Sequence, residues 1–210
     1  MSNMSKTSSK PAVFLDRDGT VNIEAGYIRE LKNLNLIPGA ADVIRDLNAQ
    51  GVPVVLVTNQ SGPARDYYPE SWVHKLHERL EKLLAAENAY LDKIYYCPHL
   101  PEGVGVVPEY TQNCDCRKPE PGMLLEAAQD MNLDLSRSFM VGDKATDVEV
   151  GQRAGAKSVL LTSGYGQRVL DGTYQHKVDP DYIFPTLKQA YDEVMKAELE
   201  KQLNRSQGME

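Results

Sequence analysis

The chain has 210 residues, 41% of them hydrophobic and 25% charged, which suits a globular domain with a full core. A formal charge of −7 speaks against a nucleic-acid-binding surface, and no run of about 18 apolar residues offers a membrane-spanning helix. Residues 1–10 are rich in Ser and Lys and lack an apolar centre, so they read as a flexible tail rather than a secretory signal. Three cysteines, an odd number, suit a reducing cytoplasm, where metal or redox chemistry is a better expectation than disulfides. No apolar stripe asks for an oligomer, and a monomer without nucleic-acid or membrane partners is expected.

Apolar, β-branched runs alternate with helical patterns along the chain. Strands are predicted over 12–16, 53–58, 92–96, 138–141, 157–161 and, briefly, 181–183. Helices are predicted over 40–49, 70–86, 120–131, 146–154 and 185–202. This alternation predicts βαβ units around a parallel sheet covered on both faces. Residues 11–203 then form a single domain, with 204–210 a C-terminal tail.

The first strand, Val13-Phe14-Leu15, stops at Asp16-Arg17-Asp18-Gly19-Thr20. Side chains two apart on an extended strand share a side, so Asp16 and Asp18 can face one reaction centre. By itself an Asp-x-Asp reads equally well as an acidic turn. The irregular stretch 19–37 contains Gly26-Tyr27-Ile28, Leu34, Leu36 and Ile37, enough for a small flap but too short for a folded cap; Tyr27 either packs this flap or faces a ligand. The second strand ends in Thr58-Asn59-Gln60-Ser61-Gly62, a tip that can offer hydroxyl and backbone N–H donors to a phosphate. His74 and His77 share one face of the next helix and read as ordinary surface histidines.

Cys97-Pro98-His99, fourteen further residues and Cys114-Asp115-Cys116 match a tetrahedral Cys₃His site for Zn²⁺. Four protein ligands leave no open position, so this ion would be structural and would pin the loop 97–116, which has little apolar content of its own. Arg117 and Lys118 follow at once, stiffened by Pro119 and Pro121. The strand over 138–141 ends in Gly142-Asp143-Lys144-Ala145-Thr146-Asp147. Asp147 is read chiefly as a helix N-terminal residue favoured by the dipole, and otherwise as a carboxylate supporting the site from behind.

These strand tips, in this order, resemble the motifs of the haloacid-dehalogenase superfamily of phosphohydrolases. Residues 11–185 resemble, within it, the D-glycero-D-manno-heptose 1,7-bisphosphate 7-phosphatase family. Asn59-Gln60-Ser61-Gly62 and the Cys/His pattern are also similar to histidinol-phosphate phosphatases, but the longer inner loop favours the former. The resemblance implies an α/β fold, a Rossmann-like three-layer sandwich with a mainly parallel sheet, no large cap domain and a zinc-stabilised loop. It implies Asp16 as a nucleophile forming an aspartyl phosphate, Asp18 as general acid and base, and Thr58 and Lys118 as holders of the transferring group. Mg²⁺ would be held by Asp16, Asp143 and the backbone carbonyl of Asp18, hard oxygens that suit this ion. Substrate contacts would come from Glu24, Ala25, Gly26, Tyr27, Thr58, Asn59, Gln60, Ser61, Arg117, Lys118 and Lys144, with Arg117 and Lys144 as cations for a second phosphate.

The double duty of Asp18 calls for a pKa above that of a free carboxyl. The implied reaction removes the C7 phosphate of a small phosphorylated sugar, heptose 1,7-bisphosphate, on the way to ADP- or GDP-heptose for lipopolysaccharide or a related glycan. The family has Asp-His where this chain has Glu24-Ala25, and Ile and Gly where it has Pro63 and Asp66. A histidinol-phosphate phosphatase and a non-catalytic zinc-stabilised binding module are the alternatives; intact Asp16, Asp18, Lys118 and Asp143 argue against the second.

Overall fold

The computed structural model describes residues 9–206. Six strands make one wholly parallel sheet: β1 (Val13–Leu15), β2 (Val54–Asn59), β3 (Lys93–Cys97), β4 (Phe139–Gly142), β5 (Lys157–Leu161) and β6 (Tyr182–Phe184). Their order is β3-β2-β1-β4-β5-β6. The helices are α1 (Ala40–Ala49), α2 (Glu70–Ala86), α3 (Gly122–Met131), α4 (Ala145–Ala154), a short α5 (Gln167–Leu170), and α6 (Leu187–Ala190), which runs through a π-helical segment into α7 (Lys196–Ser206). Each predicted strand and helix is present, shifted by a few residues at its ends; α5 is additional. The C-terminal tail expected from 204 begins later, because α7 continues to Ser206, and 207–210 lie outside the described residues. Of the N-terminal tail, 1–8 lie outside them too, while Lys10 is bonded through its backbone to Asn132 and Asp134.

Alternate residues of each strand serve two cores. Val13, Leu15, Val54, Leu56, Phe139 and Val141 pack with α1, α2 and the C-terminal helices. Phe14, Val55, Val57 and Met140 pack with α3. Burial on both faces explains why these strands read as unbroken Val, Leu and Phe runs rather than as alternating patterns. β1 lies between β2 and β4, and the chain winds outward from it in both directions. Open α/β sheets bind ligands at the C-terminal strand ends where the winding reverses. The tips carrying Asp16, Thr58 and Asp143 are therefore neighbours.

His77 corrects one expectation. It is buried, on the stripe of α2 formed by Val73, Leu76, Leu80 and Leu84, while His74 is exposed. Both rings lie against Tyr96, and His74 Nε2 is 2.6 Å from the Tyr96 hydroxyl. Burial holds the His77 pKa down to about 3. The unfolded chain accepts a proton near pH 6.5 that the folded chain refuses, so stability falls as pH drops below that value. Between pH 7 and 5 the unfolding free energy should fall by about 2 kcal/mol more in the unmodified protein than in His77→Leu. Urea titrations at the two pH values measure this; equal slopes would show that the imidazole stays protonated inside.

Candidate active site

Asp16 leaves β1 with its N–H bonded to the Val141 carbonyl on β4, 2.9 Å away. Gly19, at φ +84°, turns the chain back so that its N–H reaches Asn22 O at 2.8 Å. Arg17, only 1% exposed, folds onto Asp18 with Nη2 3.0 Å from Oδ2. Asn22 Nδ2 and Gln60 Nε2 each donate to Asp18 at 2.9 Å, and Gln60 also reaches Thr58 Oγ1 at 3.0 Å. Burial pushes the Asp18 pKa up, but the Arg17 guanidinium outweighs it, and the group sits below the ordinary carboxylate value. This overturns the expectation of a raised pKa: the neighbouring arginine turns inward, which its place in the sequence does not reveal.

Lys118 is buried in the centre. Its Nζ lies 2.9 Å from Asp16 Oδ1, 2.8 Å from Val57 O and 2.6 Å from Asp147 Oδ1. Asn59 holds the lysine by its backbone: Nδ2 donates to Lys118 O and Oδ1 accepts from Lys118 N–H, both at 3.0 Å. Asp147 combines the two roles weighed for it. Its Oδ2 accepts the Lys144 N–H at 3.0 Å, capping α4, while its other oxygen pairs with Lys118. Lys144 Nζ lies 3.4 Å from Asp16 Oδ2, 3.1 Å from Asp143 Oδ1, 3.3 Å from Asp18 O and 3.2 Å from Glu24 Oε2. It thus stands at the Asp16 end, beside the expected nucleophile and apart from an outer phosphate position.

Asp16, Asp18, Asp143, Asp147 and Glu24 share only Arg17, Lys118 and Lys144 as charge partners in these ion pairs. The centre is therefore short of positive charge. Asp16 is held low by Lys118 and Lys144 against the effect of burial. Asp143 is pushed up to about 7, chiefly by burial, despite Lys144. The residues fit a magnesium ion, because Asp16 Oδ2, Asp18 O and Asp143 Oδ1 already converge on one positive charge, the Lys144 ammonium.

Asp143 is wedged in place. A Cβ on Gly19 or on Gly164, both at positive φ, would overlap its Oδ2. That oxygen accepts the Tyr165 N–H at 2.8 Å, and Ser163 Oγ donates to Gly19 O at 3.1 Å. The segment 162–175 is the part of the site that sequence reasoning missed. Tyr165 stacks on Tyr174 with ring centroids 4.1 Å apart, and Gln175 Oε1 accepts the Ala145 N–H at 3.0 Å. A signal was present: Thr162-Ser163-Gly164 follows an apolar strand much as Thr58 to Gly62 does.

The zinc quartet also comes together. Cys97 Sγ is 3.6 Å from Cys114 Sγ and 3.1 Å from Cys116 Sγ, and the latter two are 3.2 Å apart. His99 Nδ1 lies 3.7 and 3.5 Å from Cys97 and Cys116. A tetrahedral zinc with bonds of about 2.0–2.3 Å has ligand-to-ligand edges of roughly 3.5–3.8 Å. The donors fit that ion after a small expansion. A hydrogen bond from Cys97 holds the Cys116 thiol down to about 5, and the Gln112 amide meets His99 Nε2 at 2.8 Å, leaving Nδ1 to ligate. Arg117 is tied to the same loop, Nη1 donating to His99 O at 2.8 Å.

A cavity of about 240 Å³ opens onto Asp16, Thr58, Ser61, Arg65, Arg117 and Lys118. A second lobe of about 180 Å³ is bounded by Glu24, Gly26, Tyr27, Gln60, Tyr165 and Tyr174. Ala25 is exposed and lines neither lobe. Tyr27 faces the cavity from the flap, its hydroxyl 3.2 Å from Ser61 Oγ. Asn59 and Gln60 border the cavity but spend their amides on Lys118 and Asp18.

Residues 13–83 match the family model of haloacid dehalogenase-like hydrolases, and 115–190 match the HAD-hydrolase-like model. The D-glycero-D-manno-heptose-1,7-bisphosphate 7-phosphatase of Thermosynechococcus vestitus is 54% identical over 186 residues, 87% of this chain and 94% of that protein. The chain belongs to this phosphatase family. The D-glycero-beta-D-manno-heptose-1,7-bisphosphate 7-phosphatase of Escherichia coli is another member, 46% identical over 156 residues, 73% of this chain and 81% of its own. Among solved structures, a D,D-heptose 1,7-bisphosphate phosphatase from B. bronchiseptica, complexed with magnesium and phosphate, superposes with a TM-score of 0.77 at 28% identity, covering 89% of this chain and 99% of that one. The heptose bisphosphate phosphatase family thus shares this sheet and these strand tips as a whole domain.

Elemental analysis of the purified protein should find close to one zinc per chain. Cys114→Ser should lose most of it and melt roughly 5–15 °C lower. A variant that keeps its melting temperature would show that the ion does not hold the loop.

Proposed function

We propose that the chain is a magnesium-dependent phosphatase that removes the C7 phosphate of D-glycero-D-manno-heptose 1,7-bisphosphate through a phosphorylated Asp16. The observation that carries this is the posture of Asp16: Oδ1 is fixed by Lys118, and Oδ2 borders the cavity between Lys144 and the expected ion. Asp16 Oδ2 bonds to phosphorus as the bond from phosphorus to the C7 oxygen breaks, and the proton of Asp18 goes to that oxygen. Water then attacks the phosphoaspartate, Asp18 takes its proton, and inorganic phosphate leaves with Asp16 restored. Arg17 keeps Asp18 as a carboxylate, the form required for the second step. The negative charge of the arriving phosphate raises its proton affinity for the first.

Thr58 and Lys118 hold the transferring group, and Lys144 shares its charge. Asp16, Asp143 and the Asp18 carbonyl would hold magnesium, which when bound neutralises and polarises the phosphoryl oxygens. Support comes from the convergence of these oxygens and from the magnesium and phosphate of the B. bronchiseptica relative. Zinc, held by Cys97, His99, Cys114 and Cys116, has only a structural role. The reading also includes a monomeric enzyme of the cytoplasm acting on the way to ADP- or GDP-heptose.

Phosphate release and ³¹P spectra test it together. With heptose 1,7-bisphosphate the C7 signal should vanish while C1 stays, and histidinol phosphate should turn over more slowly. Asp16→Asn should cut the rate at least about a thousandfold. Loss of the C1 phosphate instead, faster turnover of histidinol phosphate, or an active Asp16→Asn protein would each refute the corresponding part.

A further inference from the structure

Two arginines line the cavity that Asp16 borders, and neither has a carboxylate partner among the described residues. Arg117 has one guanidinium nitrogen on His99 O, which leaves the rest of its donor fork available. Arg65 stands at the end of the short turn Pro63–Arg65. Its guanidinium carbon lies 5.9 Å from the centre of the Tyr27 ring, and its Nε is buried without a hydrogen-bond partner. A desolvated donor with nothing to donate to is costly in a folded chain, unless a ligand completes it.

The two cations are positioned by one element. The Arg65 turn is anchored where Ala64 O accepts the N–H groups of Val106 at 2.8 Å and Val107 at 3.3 Å. Both valines belong to the loop between the zinc ligands. Arg117 follows Cys116 directly and is bonded to His99. The zinc loop therefore hangs two guanidinium groups over one cavity, while Lys118 and Lys144 serve the Asp16 end. A single phosphate does not need four cations with two separate supports. A substrate with a phosphate at each end does.

We propose that Arg65 is a specificity-determining residue that grips, together with Arg117, the phosphate that is not transferred. The proposal rests on the bisphosphate reading above and adds to it. Arginine suits this task because its planar fork meets two phosphate oxygens at once, and the Tyr27 ring supports the fork from one side. The buried Nε gains an acceptor when the phosphate arrives, so the site discriminates against a ligand lacking that group as well as favouring one that has it.

The test compares kcat/KM for heptose 1,7-bisphosphate and heptose 7-phosphate in the full-length, zinc-loaded protein. Arg65→Gln should reduce the preference for the bisphosphate about 10- to 100-fold, the range of one charge-assisted contact, with the change carried mainly by KM. Arg65→Lys keeps the charge and most of the stem; it should recover part of the preference, and it serves as the readout if the glutamine variant melts early. Arg65→Gln with Arg117→Gln should lose less than the product of the single losses, because both hold one group. A folded Arg65→Gln protein with its preference intact overturns the proposal, as does an equal fall on both substrates. An unmodified enzyme with no preference for the bisphosphate removes the substrate reading itself, which is a different failure.

Discussion

The rest of the molecule depends on a buried shortage of positive charge at the tip of β1. Aspartates from β1 and from the β4–α4 turn meet there with Glu24 from the flap, and only Arg17, Lys118 and Lys144 oppose them. Such a cluster is unfavourable in a low-dielectric interior unless more positive charge arrives. That same deficit draws a divalent ion toward Asp16 and Asp143, and the cations already present leave Asp16 deprotonated. The parallel sheet makes the cluster possible because its strands all end on one side. The cores on both faces supply the rigidity that holds the carboxylates against their mutual repulsion.

Recognition and chemistry are supported by different parts of the fold. Short tips of β1, β2 and β4 carry the reacting groups, each bonded to a neighbouring strand or helix. The loop after β3 has too few apolar residues to hold itself, and its order comes from the sulfur and imidazole quartet. That loop fixes the backbone on both sides of the cavity, at Ala64 and at Arg117. It takes the place that a separate cap would otherwise fill, leaving a cleft between the flap carrying Tyr27 and the stacked pair Tyr165 and Tyr174.

What the sequence made legible follows from how local each signal was. The strands are buried on both faces, so their apolar runs stood out. The bounds of α1 and α2 agree with the prediction to the residue. The zinc quartet was readable because its ligands are two tight pairs and use every cysteine. Features set by distant partners were not readable. Lys118 and Asp147 meet through the β4–α4 turn, and the double role of Asp147 exists only in that meeting. Arg17 is adjacent to Asp18, yet nothing in the order of residues says that it turns inward. His77 lies on the apolar stripe of α2, but its polarity masked the pattern. Segment 162–175 is irregular, and it became part of the site only through its contact with Asp143 and the α4 N-terminus.

The wedge around Asp143 sets limits on how this framework can diverge. With Gly19 on one side and Gly164 on the other, no added carbon fits at either glycine, and a longer acid at 143 has nowhere to extend. Drift at these three positions is coupled, and a change in one would demand simultaneous changes in the others. The rim loops carry no such restriction. New substrates for this scaffold would therefore arise by remodelling its edges around an invariant centre, and the number of phosphate esters it can address is set by loop length rather than by the reaction.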